Sequence, residues 1–296
     1  MSEENLPAKG KQAAHKAANA AKDAGSGAKQ AATSPWFTPL ARLGYAAKGA
    51  VYLIMGLLAL SAALGGGATP TDQKGAFQTI FEQPAGRFLL IVIAIGLVGY
   101  ALWCLCQAVL DVDGKGTSAK GIVTRVGYGV VGVVYLTLAF GAFKLATGGS
   151  AGKTSDTTTR DVTAQLLTKP LGVALVIVAG VGALAVAAIL FYRTWKADFE
   201  QLIQPKELGQ QGKRLLVILG RVGYAALGVV FVEIGIFLMV AALHRDPNQA
   251  QGLGGALRVM EQQPFGRLLL AIVALGLVAY GVSSVASARY RRVGRS

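Results

Sequence analysis

Two ionisable residues lie inside long apolar runs of this sequence, and they are the first candidates for chemistry. Lys48 follows Arg42 by six residues, and Glu233 follows Arg221 by twelve. A charge at the centre of a membrane helix costs about 2.5–3.5 kcal/mol on insertion scales, so a retained one often marks a solute pathway. Lys48 lies about 9 Å deep and is predicted to extend its ammonium to the nearer surface. Glu233, near the midplane, is predicted to be a neutral packed residue, or else to face a cavity or Lys48.

A second group of candidates repeats along the chain. An Arg is followed by an aromatic residue after three positions, a Gly after seven and a second aromatic residue after ten. This spacing places all four on one face of a helix. The glycines are most simply points of close helix packing. Alternatively, the first tyrosines converge on an axis and line a conduit with their hydroxyls. The arginines are Arg42, Arg125 and Arg221, the first tyrosines are Tyr45, Tyr128 and Tyr224, and the glycines are Gly49, Gly132 and Gly228.

Other chemistry finds little support in the sequence. The stretch TGGSAGKT at residues 147–154 resembles a phosphate-binding loop, but no strand is predicted before it and its first residue is Thr. His15 and His244 are too few and too far apart for a histidine metal cluster, bis-His haem or hydrolytic triad. Cys104 and Cys106 are poorly spaced to bridge each other. We therefore predict that the protein is not an enzyme and uses no cofactor or metal.

Composition places the chain with membrane proteins. Of its 296 residues, 53% are hydrophobic and 15% are charged, compared with about 25% charged in soluble domains. Its apolar runs are long enough to cross a hydrocarbon core, which takes about 20 helical residues. They predict an all-α membrane protein with six transmembrane helices, at about 43–64, 87–109, 122–146, 171–192, 215–243 and 267–288.

The six spans form three tandem repeats of two helices, at about 39–112, 120–197 and 213–293. Each second helix begins after a Pro-x-Gly sequence, at Pro84, Pro170 and Pro264. Because each repeat crosses the membrane twice, the repeats are parallel, with a predicted pseudo-threefold relation. The middle repeat is degenerate, since Val186 replaces the Tyr found at positions 100 and 280. Short amphipathic segments at 75–83 and 255–263 are predicted to lie at the membrane interface.

These motifs resemble a known family. The repeated Arg-x-Gly-Tyr helix start, the Pro-x-Gly second helix and the final Ala-Arg-Tyr-Arg-Arg at residues 288–292 are similar to the bacterial membrane-protein family known as domain of unknown function 1206. The resemblance covers about residues 39–293. It implies a membrane location and this topology, but no activity.

Charge predicts the orientation. Nineteen Lys and Arg residues lie on the side of both termini and nine on the other side, so the positive-inside rule predicts cytoplasmic termini in the bacterial cytoplasmic (inner) membrane. Residues 1–34 are rich in Ala and Lys and are predicted to be a disordered basic tail before a membrane domain at 35–296. We attribute the net charge of +14 to attraction for anionic lipid headgroups rather than nucleic acid.

Two functions remain open at the level of sequence. The absence of catalytic motifs favours a structural or accessory membrane component, with a second copy of the chain or another membrane protein as its partner. The alternative is a small-solute or ion transporter or channel that uses Glu233 and the tyrosines of the repeat.

Overall fold

The computed structural model describes residues 37–111, 116, 118–196 and 209–290, and within these ranges the chain is helical with no strand. The tail predicted at 1–34 lies outside the described residues. The long helices are α1 (Phe37–Ala63), α3 (Gly86–Leu110), α4 (Ala119–Ala146), α6 (Gly172–Lys196), α7 (Gly209–His244) and α9 (Gly266–Tyr290). The short helices are α2 (Gln73–Phe81), α5 (Ser155–Leu167) and α8 (Leu253–Gln262), and a 3₁₀ turn spans Pro247–Gln249.

The six long helices coincide with the predicted spans. Each is long and apolar enough to cross a membrane. The longest, α7, has 36 residues, which is more than a hydrocarbon core near 30 Å requires. The all-α fold with six membrane-spanning helices is therefore confirmed.

The same turn precedes the second long helix of every repeat. Between Pro and Gly stand Ala85, Leu171 and Phe265, with φ angles of 62°, 67° and 59°. These left-handed conformations are uncommon for residues with a side chain. A Cβ on the following glycine would lie 2.2 Å from the Ile80 carbonyl oxygen in the first repeat and 1.7 Å from the Leu166 carbonyl oxygen in the second. The Pro-x-Gly sequence therefore encodes a turn so tight that only Gly fits its third position.

The helices pack in the series α4, α3, α1, α9, α7, α6. The second long helix of each repeat packs against the first long helix of another repeat: α3 on α4, α6 on α7 and α9 on α1. Within a repeat, α1 packs on α3 and α7 on α9, but among these described helices α4 and α6 share no extensive contact. The predicted threefold relation is thus incomplete, and the two helices of the middle repeat stand at the ends of the series.

The repeated glycines lie in the contacts between repeats. A Cβ built on Gly49 would lie 2.7 Å from the carbonyl oxygen of Gly281 in α9. On Gly132 it would meet Leu105 in α3 at 2.8 Å, and on Gly228 it would meet Phe191 in α6 at 2.9 Å. Small residues let helices approach closely in a membrane, where no hydrophobic drive acts between them. The interpretation of these glycines as packing points is therefore supported at all three positions.

A second set of glycines shows how the middle repeat differs. Gly44 and Gly223 each lie against the second helix of their own repeat, where an added Cβ would come within 2.7 Å of Tyr100 and 2.6 Å of Tyr280. Their counterpart Gly127 has no atom within 4 Å of such a Cβ, and neither does Gly182 on α6. The middle repeat therefore keeps packing glycines on α4 and α6 without the helix contact that they form elsewhere.

The short helices lie against the bundle with one face buried. Ala76 and Phe77 of α2 are fully buried, and α2 packs against α1, α3 and α4. The apolar face of this segment is therefore covered by protein, and its position at the membrane interface stays a prediction. The segment at 255–263 forms α8, which likewise buries Leu257 and Met260. The middle repeat has a short helix too, α5, which the sequence analysis did not predict.

Candidate functional site

Lys48 lies at the centre of the bundle in a cage of tyrosines. Its Nζ is 5.0 Å from the ring centroid of Tyr100, 5.8 Å from that of Tyr135 and 4.9 Å from that of Tyr280. These rings come from α3, α4 and α9, so four helices including α1 build the site. Nζ also donates a hydrogen bond of 3.3 Å to the Tyr100 hydroxyl. Lys48 is only 9% exposed, so its ammonium does not extend to the surface and that prediction is wrong.

Aromatic contacts extend the cage along the bundle. The Tyr100 ring lies 4.7 Å from that of Tyr135 and 6.0 Å from that of Trp103 between centroids. On the other side of Lys48, the Tyr52 and Tyr280 rings are 4.9 Å apart. Edge-to-face and offset pairs of this kind each contribute about 0.5–1.5 kcal/mol beyond buried area. The cage is therefore held in place by its own ring contacts. We call Lys48, Tyr52, Tyr100, Tyr135 and Tyr280 the Lys48 cluster.

A polar connection joins the Lys48 cluster to α2. Gln73 Nε2, at the start of α2, donates a hydrogen bond of 3.5 Å to the Tyr52 hydroxyl. A narrow cleft runs beside these groups, between Lys48 and Phe77 of α2, and it leaves no room for a water molecule. The polar groups thus continue from the centre of the bundle toward the end where α2 lies.

The first tyrosines of the repeat do not meet on an axis in the predicted way. Tyr45 and Tyr128 lie against Trp103, at ring-centroid distances of 5.9 Å and 5.6 Å. Tyr224 lies against Tyr280 at 5.4 Å. Each therefore packs on an aromatic residue of a second long helix and surrounds the Lys48 cluster, rather than lining an open conduit.

The repeated arginines lie at the other end of the bundle. Arg125 donates from Nε to the carbonyl of Ala108 at 2.9 Å and from Nη2 to that of Val109 at 2.8 Å. Carbonyls in the last turn of a helix lack intrahelical partners, so Arg125 caps α3 from the neighbouring repeat. Arg42 and Arg221 occupy the matching positions on α1 and α7 and are exposed.

Glu233 lies apart from Lys48. Among the described residues, Lys48 and Glu233 form no ion pair, so the pairing considered from the sequence is not realised in this structure. Glu233 shares a face of α7 with Ala226 and Val230, which are both buried in the central core. Its Oε2 atom is buried and has no hydrogen-bond partner in the described part of the chain. Glu233 therefore remains a candidate on its own, separate from the Lys48 cluster.

The starts of the three short helices meet in a polar junction at one end of the bundle. Asp72 accepts a short hydrogen bond from the backbone N–H of Ser155 at the start of α5. Asp156 accepts one of 2.8 Å from Gly255 in α8 and forms an ion pair with Arg258. Both carboxylates are buried and lie at helix N-termini, where the helix dipole favours negative charge. We call Asp72, Ser155, Asp156, Gly255 and Arg258 the short-helix junction.

Sequence reasoning identified Lys48 but not its surroundings. Tyr52 and Tyr135 were visible as the second aromatic residues of the repeat, and Tyr100 and Tyr280 occur at matched positions in two repeats. The four tyrosines could therefore have been selected from the sequence by their matched positions in the repeats. What the repeat pattern could not show is that α3, α4 and α9 all present these residues to Lys48 on α1.

Six helices long and apolar enough to span a membrane define a multi-pass integral membrane protein. The chain belongs to the family described as Domain of Unknown Function (DUF1206), whose model matches residues 43–111, 126–197 and 222–291. These matches coincide with the three repeats.

A bacterial relative matches the chain over most of its length. The chain is similar to the Uncharacterized protein YxxB of Bacillus subtilis (strain 168), with 35% identity over 261 residues that cover 88% of this chain and 94% of the relative. No solved structure matches the chain significantly. The family membership is thus shown, and it carries no activity with it.

Proposed function

We propose that this protein transports a small solute across the bacterial cytoplasmic membrane, and that the solute passes the Lys48 cluster. The observation that carries the proposal is the burial of a lysine side chain within the span region among tyrosines of other helices. A lysine there is costly, and a purely structural bundle would gain by replacing it with Leu or Met. Its placement among ring faces of three other helices favours a role in binding.

The position of the cluster fits a pathway. Lys48 donates to the Tyr100 hydroxyl, and Gln73 of α2 donates to the Tyr52 hydroxyl, so the polar groups of the cluster extend toward the short helices. Polar groups inside a membrane domain that line a route are a recognised feature of transporters. Since no water-sized space is open beside Lys48, the structure corresponds to a closed state, and passage requires movement of α2 or its neighbours.

The proposed orientation places both termini in the cytoplasm. The excess of Lys and Arg on that side supports it. The ends of the long helices that carry Arg42, Arg125 and Arg221 would then face the cytoplasm, and the short-helix junction would face outward. A transporter of this kind needs no catalytic residues, in keeping with the prediction that the protein is not an enzyme.

Flux through purified protein tests the proposal. The full chain is reconstituted in liposomes, and uptake is measured for a panel of small anions, cations and neutral solutes. We expect protein-dependent, saturable uptake of at least one class, with a large loss in Lys48→Met and none in the surface control Lys144→Met. Uptake no greater than in protein-free liposomes across the panel, for protein that melts cooperatively, would overturn the transport proposal.

A second function is favoured by a different observation. The outer faces of α4 and α6 are apolar and exposed, and they carry the unused packing glycines Gly127 and Gly182. An accessory component would present such faces to another membrane protein. A photo-crosslinking residue at Val130, which is 60% exposed, should then give a discrete protein adduct in cells, whereas one at Leu268, which is 62% exposed, should not. Equal labelling of lipid alone at both positions would count against the accessory role.

A further inference from the structure

We propose that the Lys48 cluster binds a small monocarboxylate. This inference deepens the proposed transport function by naming the class of solute, and it stands on the charge and hydrogen-bonding capacity of the cluster. The occupant would place its carboxylate against Lys48 Nζ and its short apolar part in the adjoining cleft.

The charge balance around Lys48 is the first argument. In the described residues no Asp or Glu oxygen lies within ion-pair distance of Lys48, and Glu233 is not its partner. Three tyrosine ring faces stabilise the ammonium by cation–π attraction, which is strongest where water is excluded. They do not neutralise its charge, however. A buried positive charge without a counter-ion attracts an anion strongly, because the surrounding dielectric constant is low.

Hydrogen-bonding capacity is the second argument. An ammonium has three N–H donors, and within the described part of the chain one hydrogen bond is formed, to the Tyr100 hydroxyl. The hydroxyls of Tyr52 and Tyr135 lie beside the same cleft. Together these groups can donate to both oxygens of one carboxylate, and charge-assisted hydrogen bonds of this type are the strong ones.

The residues that line the cleft indicate the chemistry of the solute. Its polar lining comes from Lys48, the two tyrosines and Gln73, and its apolar lining comes from Val51, Phe77, Leu97 and Leu138. One positive charge and this apolar wall suit a single carboxylate with a short hydrocarbon part. A dianion would bring a second negative charge with no second lysine to meet it. Because Gln73 and Phe77 belong to α2, displacement of α2 would open the cleft for entry.

Trp103 supplies a built-in reporter for the test. Its ring lies 6.0 Å from that of Tyr100, and the other tryptophans, Trp36 and Trp195, can be replaced by Phe. The full-length variant with Trp36→Phe and Trp195→Phe is purified and titrated in detergent with sodium acetate, propionate and butyrate. Sodium chloride and sodium succinate at matched ionic strength serve as the monoanion and dianion controls.

We expect a saturable change in Trp103 fluorescence with the monocarboxylates and a much weaker one with chloride or succinate. Lys48→Met should weaken binding at least about tenfold, as loss of a charge-assisted contact predicts, while Lys144→Met should not alter it. If Lys48→Met does not fold, Tyr52→Phe, which removes one hydroxyl from the cleft, should weaken binding several-fold. No saturable response, or equal affinity in a folded Lys48→Met protein, would overturn the inference.

The two proposals fail in different ways. Carboxylate binding in detergent without any uptake in liposomes would support the binding site and refute transport. Uptake of a cation or neutral solute that is lost in Lys48→Met, without saturable binding of any monocarboxylate, would support transport past the Lys48 cluster and refute the carboxylate site.

Discussion

Lys48 shows how a membrane protein can keep a cation inside its span region with no carboxylate beside it among the described residues. Ring faces from three helices surround Nζ, and each adds electrostatic attraction without introducing a second buried charge. The cost of burying a lysine is thereby reduced, not removed. The residue stays available to a negatively charged solute, which a salt bridge would have prevented.

The separation of Lys48 from Glu233 leads to a first prediction. Since the two residues form no ion pair in the described structure, the stability changes caused by Lys48→Met and Glu233→Gln should add in the double variant, within about 0.5 kcal/mol. Melting of the four proteins in detergent measures this. A double variant that recovers the loss of the single ones would show that the two side chains are coupled.

The helix contacts explain which glycines are indispensable. Where a glycine faces the backbone of the next helix, as Gly49 faces Gly281, no side-chain movement can make room for a Cβ. Where it faces the end of a side chain, as Gly228 faces Phe191, the neighbour can move. Replacing a glycine at the same repeat position is therefore expected to destabilise the protein by different amounts in different repeats.

The second prediction compares two glycines on equivalent long helices. Gly49→Leu should destabilise the protein by about 1–3 kcal/mol, because overpacking forces α1 away from α9. Gly127→Leu should be close to neutral, since nothing lies within 4 Å of its added Cβ. Thermal melting in one detergent gives both values. Equal losses would mean that the face of α4 is covered.

The third prediction concerns the short-helix junction. Asp156 pairs with Arg258 and also accepts from the start of α8. Asp156→Asn should destabilise the protein by about 1–3 kcal/mol, as expected when a buried partner of a charged group is weakened. Asp161→Asn is the control, because its ion pair with Lys153 is exposed and such pairs contribute about 0–1 kcal/mol. A silent Asp156→Asn would argue that the junction does not hold the short helices together.

For the whole molecule, the series of helices remains open between α4 and α6. In the first repeat a Cβ on Gly96 would lie 2.8 Å from the Ala47 Cβ, and the matching positions in the middle repeat are Val130 and Gly182. The packed helix pair of the first repeat can therefore be compared, position by position, with the separated pair of the middle repeat.

This comparison gives a fourth prediction. With the native cysteines replaced by Ala, the cysteine pair Ala47→Cys and Gly96→Cys should form a disulfide on mild oxidation in membranes, after α1 and α3 separate by about 1 Å from the 2.8 Å spacing of these Cβ positions. The pair Val130→Cys and Gly182→Cys should not, because α4 and α6 share no extensive contact and a disulfide needs Cβ atoms about 4 Å apart. Electrophoretic mobility without reducing agent shows whether the disulfide has formed in each of the two variants. Rapid cross-linking of the second pair would show that the middle repeat closes.

Orientation gives a fifth prediction. If both termini are cytoplasmic, a cysteine at Ala119, at the start of α4, is protected from an impermeant maleimide in intact cells, while one at Gln262, at the end of α8, is labelled. Both positions are exposed. The opposite pattern would reverse the proposed topology.

The sequence alone determined the number of spans, the repeat and the turn before each second helix, because apolar length, spacing and Pro-x-Gly chemistry are local properties. It also singled out Lys48 as unusual. Side-chain length suggested an ammonium that reaches the surface, and nothing local indicated the tyrosines that instead enclose it.

Only the tertiary structure decided which helices are neighbours. The glycines of the middle repeat match those of the other two, yet α4 and α6 stand apart. The Lys48 cluster likewise joins residues from α1, α3, α4 and α9 whose proximity depends on that packing. Contacts between separate helices depend on the summed packing of many side chains, and in a membrane no apolar pattern selects one neighbour over another.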